Sequence, residues 1–107
     1  MPIVREKKDG YFTVMNNYHL RDQNLSLKAK GLLSMVLSLP DDWEFSLAGL
    51  TAICKEGKDS ISNTLFELER RGYLVRERAR NEHGWIRGVV YTFYERSRPR
   101  RSSPVSD

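Results

Sequence analysis

The sequence predicts an α+β domain with its helices first and a β-hairpin last. Three observations carry this. Apolar residues recur at helical spacing through residues 27–70, breakers at Pro40, Gly57 and Gly72 divide that stretch, and after Gly72 the pattern changes to β-branched and aromatic runs. With 107 residues the chain forms one domain, whose core can stand without metal or disulfide support.

Residues 1–10 are polar and are expected to form a flexible N-terminus. The aromatic and β-branched residues of Tyr11–Met15 predict a short N-terminal strand, with Asn16 and Asn17 opening a turn. Ser26 is suited to cap a first helix over residues 27–39, in which Leu27, Leu32, Leu33, Val36 and Leu37 fall mostly on one face until Pro40 stops it. Gly31 costs that helix some propensity, which points to a second backbone passing close by. In the following PDDWEF loop, Trp43 and Phe45 are expected to cover an edge of the core, and the acids Asp41, Asp42 and Glu44 to solvate the loop.

Ser46 can cap a second helix running to about Lys55, with Leu47, Leu50 and Ile53 along one side. Past Glu56–Gly57 a third helix starts at Asp59 or a neighbour. Its Ile61, Leu65 and Leu68 lie at i, i+4 and i+7, and Gly72 suits the left-handed position just past its end. Two amphipathic helices joined by a short glycine-bearing turn form a helix-turn-helix. Residues 73–80 and 85–95 read as an antiparallel hairpin closed by Asn81–Gly84, and residues 96–107, which lack apolar periodicity, as a disordered basic tail. The order of strand, three helices and hairpin is that of a winged helix-turn-helix domain spanning residues 11–95.

Charge separates the two ends of the chain. Residues 1–72 hold ten basic and ten acidic side chains, whereas residues 73–107 hold eight and four, so the whole formal charge of +4 lies in the last third. Every basic residue there is an arginine, the side chain suited to bidentate phosphate contact and to guanine edges. A polyanion is the expected partner. No stretch approaches the ~20 apolar residues of a membrane span, and the N-terminus has no apolar signal core, so no membrane association and a cytoplasmic location are expected.

Enzymatic readings find little support. The phosphate-loop, nucleophile-elbow and zinc-protease motifs are missing, and "KEGKDS" lacks the glycine spacing of a phosphate loop. Cys54 is the single cysteine and reads as a small buried hydrophobe, while His19 and His83 stand apart from any ligand set. No catalytic residue, cofactor or metal is expected.

Turning Ile61, Leu65 and Leu68 inward sends Asp59, Asn63, Glu67 and Arg70 outward, with Ser60, Ser62 and Thr64 on the flanks. The predicted major-groove contacts are Lys58, Ser60, Ser62, Asn63 and Thr64, with Asn63 placed to pair with adenine, and Lys55 before the turn can clamp backbone. Asp59 and Glu67, pointing the same way, would repel phosphate. In the hairpin Arg76, Arg78 and Arg80 share one strand face. If Arg80 and Trp85 are neighbours across the turn, Arg78 stands opposite Arg87, a like-charge pair that an external phosphate would relieve. Asn81 and His83 join them as expected contacts to phosphate or the minor groove, and Trp85 at the tip can stack.

Over Asn24–Glu95, and most clearly in "LSLKAKGLLS", "LSLPDDW" and "ELERRGYLVRER", the chain resembles the winged helix-turn-helix domains of replication-associated proteins of Firmicutes, their plasmids and phages, including the DnaD-like primosomal and replisome-organiser proteins. The resemblance implies binding of double-stranded DNA through the third helix and the hairpin wing, self-association as a homodimer, and replication proteins as partners. Nothing after the wing answers to the helical domain of DnaD-type proteins, so a stand-alone DNA-binding domain or a fragment of a longer protein is expected. Two rival readings keep the same fold: a dimerisation or docking module, favoured by the neutral first two-thirds, and a transcription repressor.

Overall fold

The computed structural model describes residues 2, 3, 5 and 10–98. Its regular elements follow local chemistry. Ser26 Oγ accepts the Ala29 amide at 3.0 Å and starts α1 (Leu27–Leu37), and Ser46 Oγ accepts the Gly49 amide at 2.9 Å and starts α2 (Leu47–Ala52). The third helix, α3 (Lys58–Arg70), follows Gly57, which has no side chain with which to cap it.

At its far end α3 stops abruptly. The Gly72 amide donates to the Glu69 carbonyl at 3.2 Å and the Tyr73 amide to the Leu68 carbonyl at 2.9 Å, the paired bonds of a Schellman reversal, with Gly72 at φ +89°. The chain turns there directly into β1 (Leu74–Arg80), which pairs antiparallel with β2 (Ile86–Phe93).

The core is one cluster. Ala29, Leu32 and Leu33 of α1, Leu50 of α2 and Ile61, Leu65 and Leu68 of α3 are buried together with Leu25, Tyr73 and Leu74. Both α1 and α2 pack on α3, so its inner face is consumed by the core. Phe45 joins the base of the hairpin to this cluster, its ring centroid 4.4 Å from Tyr91 and 5.3 Å from Phe93, and Trp43 meets Phe45 edge-on at 6.1 Å. The expected cover over the core edge is thus formed by these two aromatics.

The domain is therefore three helices followed by a two-stranded hairpin, but several details depart from expectation. No strand forms over Tyr11–Met15: among the described residues the sheet has only β1 and β2, and Tyr11 and Val14 are 99% and 85% exposed. Strand propensity reports fitness for a half-buried pleated surface, and Tyr11–Val14 stay exposed and outside the sheet. A single 3-10 turn, His19–Arg21, brings the chain in instead, with His19 fully buried.

The predicted apolar faces of the first two helices overreach by one residue each, since Leu27 and Ile53 are exposed. Both lie at helix boundaries, where the neighbouring helix no longer covers them; α1 ends at Leu37 and α2 at Ala52, short of the expected limits. A side chain at Gly31 would meet nothing within 4 Å among the described residues, so none of their backbone crosses it. The close approach is at Gly72, where an added Cβ would collide with the backbone carbonyl of Arg98.

That crossing revises the reading of the C-terminal segment. The Tyr94 amide donates to the Tyr73 carbonyl at 2.9 Å, Ser97 Oγ to the Arg71 carbonyl at 2.7 Å and the Arg98 amide to the Gly72 carbonyl at 2.8 Å, so residues 94–98 run back along the end of α3. The remainder of the predicted basic tail, residues 99–107, and residues 1, 4 and 6–9 of the predicted flexible N-terminus lie outside the described residues. Among the described residues no helix is long and apolar enough to cross a membrane.

Candidate nucleic-acid interface

The predicted contacts fall on α3 and the hairpin, and the structure sorts them into available and committed groups. Lys55, Lys58 and Asn63 are exposed, and Ser60 and Ser62 are half-buried on the flanks of α3. Neither ammonium group makes an ion pair or hydrogen bond among the described residues, and the first turn of α3 lacks a side-chain cap. Uncapped amide donors at a helix N-terminus, beside two free ammonium groups, form an environment that favours an anion. Asp59 in the same turn works against it while stabilising the helix through the macrodipole.

Thr64 is withdrawn from this set. It is 4% exposed and its Oγ1 donates to the Ser60 carbonyl at 2.8 Å, so its hydroxyl serves the helix. Glu67, expected to face the groove and repel phosphate, is turned toward α1: its carboxylate accepts from the Ser26 amide at 2.8 Å and from Ser26 Oγ at 2.7 Å. Ser26 in turn accepts from Ala29, so one acid on α3 completes the capping of α1. The partners are 41 residues apart, and no local pattern announces them.

The arginines of β1 are equally unequal. Arg76 donates to Glu69 Oε1 from Nη2 at 2.6 Å and from Nε at 3.2 Å, and its guanidinium lies 5.9 Å from the Tyr91 ring centre, so its charge is largely spent inside the molecule. Arg80 Nη1 donates to the Gly84 carbonyl at 2.8 Å across the turn. Arg78 is exposed and its guanidinium makes no hydrogen bond or ion pair among the described residues.

The expected Arg78–Arg87 pair does not form. Arg78 stands opposite Val89 and Arg80 opposite Ile86, because the ladder shifts between Ala79 and Arg80 and leaves Arg87 as the extra residue. The turn is the cause. Asn81 Oδ1 accepts the amides of His83 at 2.9 Å and Trp85 at 3.0 Å, the Asn81 amide donates to the Trp85 carbonyl at 2.9 Å, and Gly84 adopts φ +82°. Asn81, predicted as a DNA contact, thus builds the turn. His83 and Trp85 remain at the tip, both exposed, with ring centroids 5.4 Å apart.

Two buried polar pairs were not foreseen. His19 Nε2 lies 2.8 Å from Ser34 Oγ, and the Tyr73 hydroxyl donates to Asp22 Oδ2 at 2.6 Å. Burial pushes the His19 pKa down; burial and then the Asp22 bond push that of Tyr73 up. Cys54 Sγ is 4.0 Å from Met35 Sδ and burial raises its thiol pKa, but the residue is only partly buried against the edge of the core, not inside it as predicted. Among the described residues no group of three or more His, Cys, Asp or Glu is placed to hold a metal ion. No protein-family model, curated protein or solved structure matches the chain.

Proposed function

We propose that the chain is a non-catalytic winged-helix module that binds double-stranded DNA in replication initiation or regulation. The outer face of α3 enters the major groove through Lys58, Ser60, Ser62 and Asn63, and the hairpin tip follows phosphate or the minor groove. The single observation that carries this reading is Arg78, exposed and without a partner among the described residues, on a tip that also presents His83 and Trp85. Lys55 and Lys58 at the uncapped start of α3 add a second cationic edge. Release of counterions from phosphate would drive association, and the amide of Asn63 would supply selectivity. Withdrawing Thr64, Arg76 and Asn81 leaves a smaller and more discriminating contact set than arginine counting implies.

Fluorescence anisotropy with random-sequence duplex and single-stranded DNA, titrated with salt, tests the reading. Duplex binding that weakens steeply with salt, and a shallower slope for Arg78→Ala, is the expected result. Absence of duplex binding at low salt would sink it and direct the search to a protein partner.

A further inference from the structure

Away from α3's outer face and the hairpin tip, the N-terminal turn, the end of α3 and the segment after β2 surround an open groove of about 710 Å³. That volume is within the range of small-molecule sites, and about half of the lining surface is polar. Arg21 comes from the 3-10 turn, Arg71 from the end of α3 and Ser97 from the returning C-terminal segment. Both arginines are exposed, and neither guanidinium makes a hydrogen bond or close ion pair among the described residues.

The acid in the groove is already committed. Asp22 Oδ2 accepts from the Tyr73 hydroxyl at 2.6 Å and Oδ1 from the Asn24 amide at 2.9 Å, an arrangement that holds its carboxyl below the usual range. Its charge is therefore stabilised by fixed internal donors, and Lys30 and Arg71 lie close enough to add positive potential. Asn17 and Gln23 bring side-chain amides to the same lining, and the half-exposed Tyr18 ring forms part of the wall.

We propose that this groove binds a nucleotide-sized phosphate ester, with Arg21 and Arg71 gripping the phosphate and the amides of Asn17 and Gln23 meeting the polar remainder. Planar guanidinium forks suit phosphate oxygens, and two exposed arginines without a side-chain partner among the described residues line this one groove. The proposal is independent of the DNA reading, because none of its residues belongs to the α3 and hairpin set. Since the ligand touches residues 17–23 and Arg71, which meet only in the folded state, its binding raises thermal stability.

Calorimetry and thermal unfolding with AMP, ribose 5-phosphate and adenosine test it. AMP is expected to bind and raise the Tm, adenosine to do neither, and Arg21→Ala and Arg71→Ala each to weaken AMP about tenfold, the loss of one charge-assisted bond. Ribose 5-phosphate matching AMP also supports the proposal and makes the base dispensable. Adenosine binding as well as AMP, or no response to either phosphate at millimolar concentration, overturns it. So does displacement of AMP by a short DNA duplex whose affinity falls equally in Arg21→Ala, which would make the groove a backbone contact. Should Arg71→Ala unfold the end of α3, Arg71→Lys, which keeps the charge and loses the fork, replaces it.

Discussion

The base and the tip of the hairpin are built from the same residue types and do opposite work. One face of β1 begins with buried Leu74, passes Arg76 and reaches Arg78, while the facing positions on β2 run from Phe93 through Tyr91 to Val89. At the base this face is covered by Phe45 and held by Glu69; toward the tip Arg78 is exposed and Val89 is half exposed. Strand alternation places the arginines on one face, but the partners that packing brings to each, Glu69 to Arg76 and the Gly84 carbonyl to Arg80, determine which of them is free. An arginine count therefore measures potential, and availability has to be found residue by residue.

Breaking the base should have the largest effect. Gly72→Ala places a side chain at φ +89° and against the Arg98 carbonyl, so a loss of about 2 kcal/mol or more in denaturant unfolding is expected. Unchanged stability would mean that residues 94–98 do not hold this position in solution. At the tip, Arg78→Ala should lower duplex affinity about tenfold with the unfolding midpoint unmoved. Arg76→Ala should do the reverse. Its pair is about a third exposed, so the stability loss stays below about 1 kcal/mol and duplex affinity is nearly intact. If the two variants behave alike in the binding assay, the division between base and tip fails.

Glu67→Gln probes the other committed charge. Replacing a carboxylate that accepts two bonds from Ser26 should cost about 1 kcal/mol and leave duplex binding unimproved. Tighter binding would return Glu67 to the groove face.

The smallest effect is pH dependence, and it comes from the N-terminal turn. Ser34 Oγ donates to the Lys30 carbonyl at 2.8 Å, so it accepts from His19 Nε2–H, and the buried Nδ1 is left with a lone pair and no partner. Burial lowers the folded-state pKa below the ordinary 6.5, with Glu95 acting weakly in the opposite sense and Lys30 in the same one. Well above pH 6.5 His19 is neutral in both states and its contribution to stability is complete. As pH falls below that value the unfolded chain takes up a proton that the folded one resists, and stability declines until the folded pKa is passed. Urea unfolding across this window, compared with His19→Gln, should show a slope in the parent that the variant lacks.

The elements legible in the sequence were those set by neighbours along the chain. Ser26 and Ser46 cap their helices, Gly72 ends α3, and Ile61, Leu65 and Leu68 face the core, because backbone donors, φ and the 100° helical step act within a few residues. The failures have the same origin. Tyr11–Met15 had strand propensity but did not enter the sheet, and Leu27 and Ile53 followed the helical step past the end of their cover.

By itself, then, the sequence determined three helices followed by a hairpin, their main boundaries, and the concentration of arginine in the last third. Tertiary structure decided which polar groups stayed available. Glu67 found Ser26, Arg76 found Glu69 and Asp22 found Tyr73, while the five-residue turn at Asn81 slipped the register that would have set Arg78 against Arg87. The physical reason is that a charge or hydroxyl accepts whichever partner the packed backbone brings within about 3 Å, and that choice is made by segments distant in the chain.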